Sequence, residues 1–209
     1  MITPSGATER RMPLQDRAHC RIDAILVAAE QVFLKRGYDA ATMTDISVAS
    51  ETSPGGLYRY FSDKASVARA LLAEYDEQLE LRWIPILASA GQMPVRLMVT
   101  TLLDEVSTFS AECPAFLVLL AAPIKYRRDK EAKNGLRARL SEAFIAIAGS
   151  NNPPDALVIS NVFVETVKGM LSMFSQEPAE ARPMIVAHYK CLLTAYLENM
   201  SLAWKEPLT

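Results

Sequence analysis

Apolar residues in this chain recur three and four positions apart, and nothing alternates convincingly at period two. Ile22, Ile25, Leu26, Ala29, Val32 and Phe33 form the first such run, the spacing that lines one face of a helix. Prolines fall between the runs, where helices start and stop. These two features leave only an all-α fold, and the boundaries follow from local signals. The first helix covers 15–36 and stops at Gly37. A second runs from about 44 to 50, with a Thr hydroxyl to cap it and Asp45 in its first turn. A very short helix follows Pro54. Ser62 caps the next, with Asp63 in its first turn; it runs to about Arg82 and Pro85 ends it. Pro94 opens one reaching about Ser110, and Pro114 opens one closed by Pro123. Another lies within 126–149, where Asn134-Gly135 delays its start or kinks it. Asn152-Pro153-Pro154-Asp155 opens a helix ending near Ser175. Pro178 or Pro183 opens the last, which ends near Trp204. That makes about nine helices, with no internal repeat and no low-complexity segment.

Composition removes several function classes. Half of the 209 residues are apolar, enough for a real core, and the net charge is −2. The first 64 residues balance eight Lys/Arg against eight Asp/Glu. A case for nucleic acid must therefore rest on where charges sit. Cys20, Cys113 and Cys191 are scattered, no CxxC pair exists, and only His19 and His188 could assist a metal. Neither a disulfide framework, a zinc site nor any cofactor is expected. The cysteines read as reduced thiols of a cytoplasmic protein. The N-terminus has no long apolar run, and no stretch approaches the ~20 apolar residues of a membrane span. G-x-S-x-G, P-loop, Rossmann and metal-ligand spacings are absent, so an enzyme is not expected.

Ser53-Pro54-Gly55-Gly56-Leu57-Tyr58-Arg59-Tyr60-Phe61 is the chemically distinctive stretch. Two glycines open a very short helix that is otherwise largely aromatic. Three short helical patterns within 20–61 suggest a helix-turn-helix, whose second helix enters the major groove. Glycines let the backbone itself approach the duplex. Tyr58, Tyr60 and Thr44 offer hydroxyls to phosphates, and Lys64 adds a cation. Leu57 and Phe61, four apart, point to the core. The competing reading is a plain αα-turn with a Gly-Gly linker and tyrosines in the core.

"ATMTDISVASETSPGGLYRYFSDKASV" resembles the DNA-binding domain of TetR-family transcriptional regulators. The resemblance runs from about Arg21 to Tyr75, through "AAEQVFLKRGYDAATMTDIS", then S-x-G-x-LY-x-YF, then "SDK" opening the fourth helix. It implies that Thr44, Tyr58, Tyr60 and Lys64 hold phosphates. It implies that Pro54, Gly55, Gly56 and Arg59 read bases or flanking backbone, and that Ser53 caps the recognition helix. Arg10, Arg11 and Arg17 would form an arm reaching backbone or minor groove. Ser50-Glu51-Thr52 departs from the Ala-Gly-Val turn of many relatives. A Glu at a left-handed position costs roughly 1 kcal/mol; alternatively the turn has another geometry, with Ser50 capping locally. Glu51 also sets a negative charge near DNA.

The implied organisation is a flexible arm (1–16), a helix-turn-helix DNA-binding domain (17–64) and a C-terminal ligand-binding and dimerisation domain (65–209). The helix at 155–175 and the last helix are apolar nearly all round, so each is either a central core helix or packs one face on a second subunit. The resemblance favours the second, a four-helix homodimer interface using Val158, Val162, Met184, Tyr189, Leu193, Tyr196 and Met200. It also implies an effector pocket, with Trp83, Met98, Leu102, Phe109, Phe116, Leu120, Tyr126, Phe163, Val167 and Met170 as lining. No dense charged cluster stands out, so the expected effector is mostly apolar or aromatic, with Glu105, Glu165 or His188 as a polar handle. The function so implied is a ligand-responsive regulator, a repressor on a near-palindromic operator. An activator and a helical protein-interaction module are the alternatives.

Overall fold

The computed structural model describes residues 14–125, 130–149 and 155–205. Arg10, Arg11, Tyr126 and the Asn152-Pro153-Pro154 start signal lie outside them, as does the side chain of Arg17. Among the described residues the chain forms nine α-helices, two 3-10 turns and no strand.

α1 (Leu14–Ala40) is divided at Gly37, where φ is 73° and ψ 168°. The expected stop is thus a break, after which Tyr38 turns back and stacks on Phe33 at 5.8 Å. α2 spans Met43–Ala49 and α3 spans Pro54–Tyr60. α4 (Lys64–Ala88) overturns two expectations. Its cap is Asp63, not Ser62: Asp63 Oδ1 accepts from the Ser66 N–H at 2.6 Å and Ser66 Oγ from the Asp63 N–H at 3.2 Å. This reciprocal pair satisfies two otherwise orphan donors. Nor does Pro85 end it. Proline removes one ladder hydrogen bond, but Pro85 is exposed, so the helix continues to Ala88 on its solvent side.

α5 (Val95–Glu112), α6 (Pro114–Ala121), α7 (Lys130–Ala148), α8 (Ala156–Gln176) and α9 (Arg182–Lys205) complete the chain. Asn134-Gly135 lies inside α7 without ending it. α5 packs on α9 and α4, α7 on α8, and α6 on both α8 and α1. The α1–α6 contact and the long α4 join the N-terminal helices to the rest. At that junction the Tyr75 hydroxyl of α4 donates to Glu30 Oε1 of α1 at 2.7 Å. The Tyr75 ring meets Phe109 and Phe116 edge-on, at 6.0 and 5.5 Å. Further along α4, Trp83 Nε1 donates to the Leu102 carbonyl at 3.2 Å, and its ring meets Phe163 at 6.0 Å.

α8 corrects the expectation that no stretch could span a membrane, because by length and composition it is apolar enough. Its inner face, including Ile159, Phe163, Val167, Met170 and Phe174, is buried in the protein's own core.

Candidate DNA-reading surface and effector cavity

α2 is fixed at its start by a second reciprocal cap. The Asp45 N–H donates to Thr42 Oγ1 at 3.1 Å and the Thr42 N–H to Asp45 Oδ2 at 3.0 Å. The Thr42 hydroxyl, then the Thr42 backbone N–H and last Arg36 at 3.2 Å, hold the Asp45 carboxyl below its ordinary pKa. Between α2 and α3, Glu51 adopts φ 50°. The turn therefore keeps the left-handed geometry despite lacking glycine. Side chains compensate: Ser47 Oγ donates to the Thr52 carbonyl at 2.5 Å and Thr52 Oγ1 to the Ser50 carbonyl at 3.1 Å. Both serines and Thr52 are buried, so the turn is held by hydroxyls where a glycine would have relieved it.

Ser53 caps α3, its Oγ accepting from the Gly56 N–H at 3.2 Å, and Pro54 occupies the first turn. The two glycines differ. A Cβ on Gly56 would lie 3.1 Å from Ser53 Oγ and 3.2 Å from Thr52 Cγ2, whereas one on Gly55 would meet nothing within 4 Å. Gly56 thus serves the cap, while Gly55 has no such internal reason to lack a side chain. Leu57 and Phe61 are buried. Thr44, Tyr58, Arg59 and Tyr60 are exposed, so the tyrosines are not core residues.

Lys64, the cation expected to face a phosphate, also has internal partners. Its ammonium donates to the carbonyls of Tyr38 at 2.6 Å and Asp39 at 3.0 Å, and sits 4.4 Å from the Tyr38 ring centre. It closes the end of α1 onto the start of α4.

The second site is a cavity of about 930 Å³ between α4, α6, α7 and α8, near the upper end of the range for small-molecule sites. Trp83, Phe116, Leu120 and Val167 line it, as expected. Met98, Leu102, Phe109, Phe163 and Met170 do not; they are fully buried behind it. Leu72, Leu79, Leu119, Ile124, Leu136, Val164 and Leu171 complete the apolar wall.

The charged part of the wall was not foreseen. Asp76 and Glu80 of α4, Lys133 and Arg137 of α7, and Lys168 of α8 all reach the cavity. Glu80 pairs with Arg139. Glu165, one of the expected polar handles, stands beside the cavity and pairs with Lys168 at 3.0 Å and Arg137 at 3.6 Å. Glu105 instead faces Arg82 at 3.7 Å, and His188 is exposed on α9. These charges come from three helices up to 92 positions apart, from Asp76 to Lys168, so no local sequence signal marks them.

The outer face of α8 and α9 is only partly the one expected. Val158, Val162 and Met184 are exposed, while Tyr189, Tyr196 and Met200 are half-buried within the protomer. Leu193 is only 1% exposed, so it has no area left to offer a second subunit. The adjacent Leu192 is 56% exposed and Leu202 63%; with Met184 they form the outward stripe of α9.

A helix-turn-helix on a helical body that encloses a cavity is the architecture of a one-component DNA-binding regulator. Residues 25–71 match the family model of bacterial regulatory proteins of the tetR family, and residues 94–197 match that of the tetracyclin repressor-like C-terminal domain. The chain belongs to the TetR family of transcriptional regulators, which are not enzymes. The repressor BepR of Brucella suis biovar 1 is 40% identical over 50 residues, 24% of each chain. The activator FasR of Mycolicibacterium smegmatis is 35% identical over 78 residues, 36% of this chain and 34% of its own. Such matches span a quarter to a third of the curated relatives' length. A TetR-family regulator from Streptomyces coelicolor has the same fold, with a TM-score of 0.66 at 24% identity over 86% of this chain and 98% of its own.

Proposed function

We propose that this regulator is a homodimeric, cytoplasmic repressor that binds a near-palindromic operator and is released by a small molecule entering the α4–α8 cavity. The observation that carries the reading is the exposure of Thr44, Tyr58, Arg59 and Tyr60 on a helix pair whose own anchors, Leu57 and Phe61, are buried. On this seven-residue helix Tyr58 is 55% and Tyr60 36% exposed, more than anchoring its packing requires. Hydroxyls and a guanidinium directed outward suit phosphates and base edges. Residues 17–64 read DNA, and residues 65–209 bind effector and dimerise.

Dimerisation uses the outward stripes of α8 and α9: Val158 and Val162 with Met184, Leu192 and Leu202. A two-fold axis there sets two recognition helices about 34–36 Å apart, one turn of DNA. The Thr44, Tyr58 and Tyr60 hydroxyls take phosphates. Arg59, Pro54 and the open backbone at Gly55 face the bases, the arm carrying Arg10 and Arg11 follows the groove, and Arg17 reaches it from the start of α1.

The activator reading rests on the kinship with FasR. Selection of bound duplexes from a random pool, by wild-type and Tyr58→Phe/Arg59→Ala protein, tests DNA reading directly. A palindrome enriched by the wild type alone is expected; no enrichment by either protein overturns the reading. Placing that palindrome over a promoter then separates repression from activation.

A further inference from the structure

We propose that the cavity takes an amphiphile with an anionic head, a carboxylate or phosphate held at the α7–α8 seam by Arg137 and Lys168, and an aliphatic tail laid against α4 and α6. This rests on the reading of the cavity as the effector site, and it replaces the mostly apolar or aromatic effector expected from sequence.

Arg137 carries the argument. Its side chain is only 18% exposed, and its Nε is buried without a hydrogen-bond partner. The nearest carboxylate, Glu165, lies 3.6 Å from its guanidinium, beyond a good hydrogen bond. Glu165 is also shared: Lys168 holds the same oxygen at 3.0 Å. One carboxylate between two cations leaves a net positive charge beside the cavity. A buried guanidinium N–H with no acceptor is costly, and an entering oxyanion removes that cost with a charge-assisted, directional bond. Lys133 adds a third cation from the same side of α7.

Two acids share the wall: Glu80 is matched by Arg139, and Asp76 lines the cavity from α4. On α4 and α6 the wall is largely aliphatic and aromatic, with Leu72, Leu79, Trp83, Phe116 and Leu119 beside the two acids. One end of the cavity therefore matches an oxyanion and the remainder a hydrocarbon chain.

The test is calorimetric titration of the full chain, without DNA, with probes of equal tail length: decanoate, decyl phosphate, decanol and decyltrimethylammonium. Decanoate or decyl phosphate is expected to bind roughly tenfold or more tightly than decanol, and their ratio distinguishes the two head groups. Arg137→Gln and Lys168→Gln are each expected to remove that preference while leaving decanol binding unchanged, which separates loss of the head-group contact from loss of fold. Equal affinity for decanol and both anions, preference for the ammonium, or no binding by either anion overturns the proposal, as does a preference that survives both variants. No operator is involved, so failure of the repressor reading does not affect the outcome.

Discussion

Glu51, Gly55 and Glu74 each make a testable statement about one position. Glu51 is the one non-glycine residue of positive φ among those described. Glu51→Gly is expected to raise unfolding stability by about 1 kcal/mol, measured by urea denaturation; a loss instead means the hydroxyl-braced turn needs the side chain. Gly55 has open space around its missing Cβ. Gly55→Ala should therefore gain about 0.5–1 kcal/mol from helix propensity yet bind operator more weakly, because the added methyl faces the duplex. Equal operator affinity would remove the close-approach argument. Glu74 has its carboxyl pushed up, first by burial and then by Asp23, Glu30 and Glu77. A raised folded pKa means folding favours the protonated form, so the penalty is absent below the ordinary carboxylate range and grows as pH rises through the raised value. Glu74→Gln is expected to raise Tm at pH 7 and to lose that advantage towards pH 4.

At the scale of elements, the helices were legible because period and punctuation agree. Thr42, Gly37 and Pro114 mark real boundaries. Pro85 misleads because one lost hydrogen bond on an exposed face is tolerable in a 25-residue helix otherwise packed along its length. The outward faces were less legible. α8 and α9 are apolar nearly all round, and composition cannot say which side meets the protomer's own core. Leu192 and Leu193 show the difference. Leu192→Glu is expected to convert dimer to monomer in sedimentation while leaving the fold intact. Leu193→Ala should instead cost about 2–5 kcal/mol of stability. The reverse pattern would relocate the interface. Tyr75 belongs to this scale too, joining α1 through Glu30 to the ring cluster that includes Phe116 of the cavity wall. Tyr75→Phe should cost about 1.5–3 kcal/mol and reduce the effector's influence on operator affinity. An unchanged ratio of operator affinities with and without effector would put the coupling elsewhere.

For the whole molecule, the recognition unit was readable in one contiguous stretch, but the cavity was not. Its charges assemble only when α4, α7 and α8 meet. The global charge of −2 also limits how DNA is held. With the Lys64 ammonium hydrogen-bonded internally, Arg59, Arg17 of α1 and the arm's Arg10 and Arg11 leave about one to four cations per protomer for phosphates. The log–log salt slope of operator binding by a dimer is then expected between roughly −2 and −7. A steeper slope would mean cations elsewhere on the molecule reach the duplex.

The bond from Lys64 to the carbonyls of Tyr38 and Asp39 acts as a clasp, and it constrains how release can work. In the proposed dimer this ties the root of α4 to the tail of α1, so a push delivered along α4 is expected to move each reading head as a block and to change the ruler between the half-sites. Across operators of varied half-site spacing, the optimum would accordingly shift between the effector-free and effector-loaded forms.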